Sequence, residues 1–352
     1  MVKIVVAGGS GQVGREVIDA LVAAKKHEIT VLSRNVSSDA NASFFPFVHT
    51  EMAQKAAVVD STPGFKWRVI DYNDKSELTE ALRGIHTVLS FTQLLSDPQN
   101  TTEKNLIDAA IVARVKRFAP SQWGSASTVG MPWWAGKDKV KEYLEKVNEN
   151  EKILEYTLFQ PGLFLDYLAT PYKTAKHLEP LNTMIDFQNR RAIVVDGHDT
   201  VMTYTTVQDL AAVVVRAVDL GGEWPMSGGI SGNKLPISQV LKIGEKLRGE
   251  PCHIHSTLSC SRGITGHPFT IDKVRLEDLE NGILTASWTL EASHPTVAGD
   301  QIEKMLKTVL IGTLIGSAKG AWDVSDEVNK LLPDFRFTQI DDFLTEVWQG
   351  KL

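Results

Sequence analysis

The sequence predicts a doubly wound α/β fold, with a parallel sheet covered by helices on both faces and a smaller C-terminal substrate lobe. Three observations point there. Short apolar runs alternate with amphipathic stretches through the first half of the chain, the pattern of stacked βαβ units. Four glycines, Gly8, Gly9, Gly11 and Gly14, sit between the first apolar run and the first helical one. Beyond Gly162 the alternation loosens, as expected of a chain leaving its sheet.

The elements follow in order. VKIVVA, from Val2, is a short β-branched run ending in glycines, and REVIDALVAA, from Arg15, carries apolar residues at helical spacing. HEITVLSR is the second strand. Asn35 to Gly64, rich in serine, alanine and asparagine, reads as a surface excursion with a helix around FVHTEMAQKAAVV. FKWRVID is the third strand, NDKSELTEALRG a capped helix closed by Gly84, and HTVLSF the fourth strand. TTEKNLIDAAIVAR is a helix, VKRFAPS a fifth strand, DKVKEYLEKVNEN a helix and ILEYTLFQPG a sixth strand.

That order is a Rossmann sheet over residues 1–162. Residues 163–352 are expected to form a mixed substrate-binding lobe, with a segment near 200–220 returning to the core. RRAIVV and MTYTTV look strand-like, VQDLAAVVVRAVD is a helix with Asp209 as its cap, and ISQVLKIGEKLRG is a later helix. TVLIGTLIGSA, from Thr308, reads as a buried helix; the rest of the last third shows no clear order.

Composition narrows the function. The chain has 352 residues, 43% hydrophobic and 23% charged, ordinary values for one large α/β domain with a smaller lobe. A net charge of −6 without a basic cluster argues against a nucleic-acid surface. No apolar run reaches the ~20 residues that a membrane-spanning helix needs, and no signal-like segment precedes the first strand. Two cysteines, Cys252 and Cys260, make no disulfide framework and suit a reducing compartment. A cytoplasmic protein with no membrane or nucleic-acid partner is therefore expected. CHIHSTLSC, from Cys252, lacks the paired spacing of a zinc site, so no metal is expected, and its alternation suggests a strand.

The glycines give GxxGxxG, and also GxGxxG from Gly9. One glycine permits a tight turn, one lets backbone approach a pyrophosphate, and one lets helix and strand close. Following a strand and opening a helix, Gly8, Gly9, Ser10, Gly11, Gln12, Val13 and Gly14 form the expected dinucleotide-binding turn, with the phosphates at the helix N-terminus. An NAD site places a carboxylate at the end of the second strand; here that strand ends in Ser33 and Arg34. A guanidinium grips a 2′-phosphate, so the cofactor expected is NADPH/NADP, with Arg34 and also Arg15 as its positive groups. Asp71, ending the third strand, either reaches the adenine or caps the next helix. Phe91, Thr92 and Gln93 end the fourth strand and border the same cleft, the first two toward cofactor and Gln93 toward substrate.

VKRFAPSQWG, the lysine after it and LEYTLFQPGLF resemble the isoflavone reductase-like, or NmrA-like, atypical short-chain dehydrogenases, especially fungal members. The resemblance covers about Met1 to Asp219. It implies a lysine one helix beyond the PSQWG strand end, followed by apolar residues three and seven positions on. Lys137, Val140 and Leu144 fit. Lys137 is then the expected catalytic residue, beside the nicotinamide ribose, with Ser121 nearby. By the same resemblance, the bend holding Phe159 and Pro161 packs on the nicotinamide, and Gly162 and Phe164 lead into the substrate lobe. A typical short-chain dehydrogenase has a tyrosine four residues before its lysine; Trp133 stands there instead, and an indole is no proton donor near neutral pH. Trp123, Trp133 and Trp134 belong to the segment at the carboxyl edge of the sheet, where Trp123 and Trp133 are expected to line an apolar pocket.

The resulting expectation is an NADPH-dependent reductase of a small apolar, aromatic or polyketide-like secondary metabolite, delivering hydride to a carbonyl, conjugated alkene or benzylic-type carbon. Two alternatives stay open: a regulatory protein that senses NADP without turnover and touches a protein partner, and a non-redox isomerase or dehydratase using the same cleft.

Overall fold

The computed structural model describes residues 1–34, 64–93, 97–248, 268–291 and 299–351. The excursion expected at Asn35 to Gly64, all but its last residue, and the CHIHSTLSC segment lie outside these residues.

The opening run becomes β1 (Lys3–Ala7), whose side chains are buried on both faces. Ile4 and Val6 point to one layer, and Val5 and Ala7 to the other. A parallel strand sandwiched between helices needs this apolar content on both sides. β1 pairs with β2 (Glu28–Ser33) on one side and with β4 (Thr87–Ser90) on the other, both parallel. With β3 (Lys66–Val69), β5 (Arg117–Ala119) and β6 (Glu155–Tyr156), the described residues give a six-stranded sheet of order β3-β2-β1-β4-β5-β6. The chain runs outward from β1 to β3 and then returns to β4. The switch point therefore falls between β1 and β4, and in open sheets of this kind ligands bind there, outside the carboxyl ends of the strands.

Helices α1 (Gln12–Ala24), α2 (Lys75–Leu82), α3 (Thr101–Val112) and α4 (Ala135–Val147) connect these strands. Asp74 caps α2, its carboxylate accepting from the Ser76 and Glu77 amides, and Gly84 follows the helix at φ +73°. That corrects the second reading of Asp71. Its carboxylate instead accepts from the backbone and side-chain nitrogens of Asn73.

The expected sixth strand is two pieces. β6 pairs with β5, but β7 (Leu158–Gln160) pairs with β12 (Ser227–Gly229). The cause lies in β5, which stops after three residues at Pro120; proline has no N–H with which to continue the ladder. Thr157 still donates to Phe118, and Leu158 then turns to Met226.

α5 (Val207–Asp219) lies against α1, on the layer that holds Ile4 and Val6. Thr206 caps it through the Asp209 amide, and the Asp209 carboxylate accepts from Thr338. Asp209 thus sits three residues past the cap and anchors a distant segment, rather than capping the helix itself. A separate apolar cluster is built from β10 (Arg191–Val195), β11 (Val201–Thr205), α6 (Ile237–Leu247), α8 (Gly299–Ala318) and α10 (Ile340–Trp348). Leu306, Leu310 and Leu314 bury one stripe of α8 at four-residue spacing, as expected of TVLIGTLIGSA. Among the described residues no helix is long and apolar enough to cross a membrane.

Candidate active site

The glycine turn crosses from β1 to α1, and its glycines serve different ends. Gly8 has φ +70°, and a β-carbon there would stand 2.7 Å from the Phe91 carbonyl carbon and oxygen. At Gly9 a β-carbon would meet Ile18 and Val31, each at 2.7 Å, and at Gly14 it would meet Phe91 and the Gly9 backbone. These three let turn, helix and strand ends close on one another. Gly11 differs: the nearest atom to a β-carbon there is 3.7 Å away. Gly11 is also the N-cap of α1, with no side chain capping the helix and no acidic residue in its first turn. Amides of Gln12, Val13 and Gly14 therefore open toward clear space beside a glycine, which is what a phosphate group requires.

Tyr72, from the end of β3, braces this turn. Its hydroxyl accepts from the Gly8 amide (3.2 Å) and donates to the Leu32 carbonyl (3.1 Å), while Asn105 holds the Tyr72 carbonyl. Burial pushes the phenol's pKa up, so it stays a donor. Arg34 stands exposed at the end of β2, near enough to Tyr72 for its charge to act on the phenol. Arg15 is half-buried on α1 and, with Ser10 and Gln12, faces Lys173, Lys176 and His177. The last two lie on a strap that runs along α1. His177 and Leu178 donate their amides to Glu16, Glu179 donates to Gln12, and Lys176 pairs with Asp19 at 2.6 Å.

At the other end of the edge, Lys137, Val140 and Leu144 are the buried residues of α4, the register the family resemblance implies. Lys137 Nζ donates to the Gln122 carbonyl (2.6 Å), and Gln122 Nε2 returns a bond to the Lys137 carbonyl (2.9 Å). The ammonium sits 3.9 Å from the centre of the Trp134 ring. Burial without an ion-pair partner lowers its pKa to about 7, against a small opposing pull from Asp138. Such a group exchanges a proton near neutrality.

Between the two ends, Glu103 of α3 is fully buried. Its carboxyl accepts from the hydroxyls of Ser90 (2.7 Å) and Thr92, and from the Ser121 amide (3.1 Å). Trp123 donates its indole N–H to the Ser90 carbonyl (2.6 Å) and stacks on Phe91, ring centres 4.3 Å apart and 8° from parallel. Thr92 and Ser121 thus meet in one network. Gln93 is exposed beyond β4.

Three expected contacts are corrected by packing. Phe159 is 1% exposed, stacked behind Trp123 and edge-on to Trp224, so it backs the cleft rather than facing it. Gly162, at φ +76°, lies against Thr203 and spends its amide on Gly124, leaving it no side chain or N–H for a ligand. Phe164 is core, edge-on to Tyr167. Trp133 is half-buried and packs on Gly312 of α8, while Trp134 lies against the lysine. Pro161 is buried at the same bend.

Sequence reading overlooked Tyr72 and Glu103, and it placed Trp134 at the sheet edge without a contact to Lys137. Glu103 did leave a signal, because it falls on the stripe of α3 shared with Leu106, Ile107 and Ala110. A carboxylate in an apolar stripe is seldom buried without partners.

A sequence model of the NmrA-like family matches residues 2–256. The chain is 32% identical to the oxidoreductase BOA1 of Botryotinia fuckeliana over 257 residues, 71% of this chain and 77% of that protein. Among solved structures it resembles the NADPH-dependent quinone oxidoreductase QOR2 of Escherichia coli, complexed with NADPH (TM-score 0.64, 19% identity, covering 98% of this chain and 100% of that one). It also resembles an isoflavone reductase (TM-score 0.61, 19% identity, 98% of each chain). These last two likenesses establish the shared fold. With the family match spanning the glycine turn, Lys137 and the strap on α1, the chain belongs to the NmrA-like family.

Proposed function

We propose that the chain is an NADPH-dependent reductase of a small apolar molecule, aromatic or polyketide-like, of the kind made in secondary metabolism. The carrying observation is Lys137: a buried ammonium without an ion-pair partner among the described residues, placed by α4 against the loop that ends β5.

The turn fits the group. α1 offers uncapped amides beside the open face of Gly11, and Arg34 carries a positive charge where a 2′-phosphate would lie. When bound, the dinucleotide supplies a hydride. Phe91 and Trp123 form a stacked wall along the strand ends that keeps water from that edge. Lys137 holds a proton at Nζ, anchored by the Gln122 carbonyl, and gives it to the atom of the substrate that gains negative charge. No tyrosine is needed for that step, which accounts for Trp133 in its place.

The relatives and neighbours support the reading, being named oxidoreductases and NADPH-dependent reductases. The test is NADPH oxidation by the purified protein against aromatic ketones, enones and quinones. At least one class should be reduced, and Lys137→Ala should lower that rate by about 100-fold or more. Tight NADP⁺ binding with no turnover on any acceptor would transfer the protein to the sensing role.

A further inference from the structure

Glu103 has no part in the chemistry above, yet it is the buried charge-bearing group that ties the two strand ends beneath it. Its Oε2 takes the hydroxyls of Ser90 and Thr92 at the end of β4, and its Oε1 takes the Ser121 amide just past β5. The peptide that follows Ser121 belongs to Gln122, whose carbonyl holds Lys137 Nζ and whose side-chain amide holds the Lys137 backbone. Trp123, the next residue, is pinned to Ser90. The loop from Ser121 to Trp123 is therefore fastened on one side to Glu103 and β4, and on the other to Lys137.

We infer that Glu103 is a positioning residue: by spanning the ends of β4 and β5 it fixes the loop that aims Lys137, and it acts by reach rather than by charge. This rests on the reading of Lys137 as the proton donor. Two features favour reach. Every group bonded to the carboxyl is a hydroxyl or an amide, and no cation pairs with it among the described residues. Asp97 adds only a like charge nearby, and burial favours the uncharged form of Glu103. Serine and threonine hydroxyls accept as well as donate, so a glutamine amide in place of Oε2 would keep both bonds, with its oxygen still on the Ser121 amide. An aspartate keeps the carboxyl but falls one methylene short of spanning the two strands.

Glu103→Gln and Glu103→Asp separate these possibilities, since the first keeps the reach and removes the ionisable group, and the second keeps the carboxyl and shortens the reach. Two readouts are needed: kcat and KM for NADPH oxidation, and the titration of Lys137 by NMR of carbon-labelled lysine, its signal assigned by loss in Lys137→Met. Glu103→Gln should keep kcat within about threefold and leave the Lys137 midpoint in place. Glu103→Asp should lower kcat by about 10- to 100-fold with little change in KM for NADPH, the scale of a misplaced reacting group. Its Lys137 midpoint should rise by about one pH unit or more as water reaches the ammonium. The inference is overturned if Glu103→Asp behaves as wild type, or if Glu103→Gln loses as much as Glu103→Asp. Should wild type turn over no acceptor while the Lys137 midpoint still moves in Asp and holds in Gln, the reductase reading fails and the positioning role stands.

Discussion

Around the glycine turn the groups that would meet a ligand are backbone amides uncovered by missing side chains, whereas around Lys137 they are buried side chains held by one another. At the first, Gly11 leaves clear space over α1 and Arg34 is exposed. At the second, Gln122 and Trp134 close on a lysine that retains one hydrogen-bond acceptor, and Glu103 and Trp123 fasten the loop that carries Gln122. A phosphate needs donors and room and is served by absence. A proton donor with a lowered pKa needs exclusion of water and is served by packing. The phosphate end should therefore respond to substitution mainly in affinity, and the lysine end mainly in rate.

The largest effect is expected from Lys137→Ala. Loss of a general acid costs about 10²- to 10⁴-fold in kcat, while the NADPH dissociation constant should change little by fluorescence titration. A comparable loss of binding would erase the division between the two ends.

Within the turn itself, Gly8→Ala and Gly11→Ala should part company. The first forces a β-carbon into the Phe91 carbonyl at a left-handed backbone position and should cost about 2–5 kcal/mol in denaturant unfolding. The second meets only the Gly8 carbonyl oxygen, at an ordinary 3.7 Å, so stability should change by less than about 1 kcal/mol while NADPH affinity falls. Equal destabilisation of both variants would mean that Gly11 is not an open position.

Next comes Arg34→Asp. A charge-assisted pair to a 2′-phosphate is worth about 1.5–3 kcal/mol, so NADPH affinity should fall by about 10- to 100-fold and NADH affinity should hold or improve. Matching losses for the two cofactors would remove Arg34 from the phosphate site.

The smallest effect in this series belongs to Tyr72→Phe. It removes one hydroxyl between the Gly8 amide and the Leu32 carbonyl, with an expected cost of about 1 kcal/mol. Gly8 retains its bond to Leu32, so the turn should persist with weakened NADPH binding.

The same contrast explains what the sequence made legible. The glycine turn is local: strand, glycines and helix fall within about two dozen consecutive residues, and each spacing has a mechanical meaning. The register of Lys137, Val140 and Leu144 is likewise a helix repeat, and it reads correctly. Partners distant in sequence do not read so. Tyr72 reaches Gly8 across 64 positions, and Glu103 reaches Ser121 across 18. Local pattern also does not show that Trp134 lies against Lys137, or that α8 from the far end of the chain packs on Trp133. Phe159 and Phe164 were misplaced for a related reason: a strand end marks the edge of the sheet but not the face that later segments cover. Trp224 and Tyr167 cover those faces.

Lys137 also links rate to stability. Its folded pKa is about 7 and its ordinary value 10.5. Between those pH values the unfolded chain binds more protons than the folded one, so stability should rise with pH across that window. Lys137→Met lacks this slope. It should therefore be more stable than wild type below pH 7 and lose that advantage as pH approaches 10.5. Parallel curves for the two proteins would show that the ammonium is solvated.

The most direct test of the central claim is the pH dependence of NADPH oxidation with the best acceptor found, measured for wild type and Lys137→Ala. A proton donor acts in its protonated form, so wild-type kcat should fall as pH rises through about 7, and the residual rate of the variant should show no such limb. A variant that keeps the wild-type rate and the same descending limb would contradict the assignment of Lys137 as the proton donor.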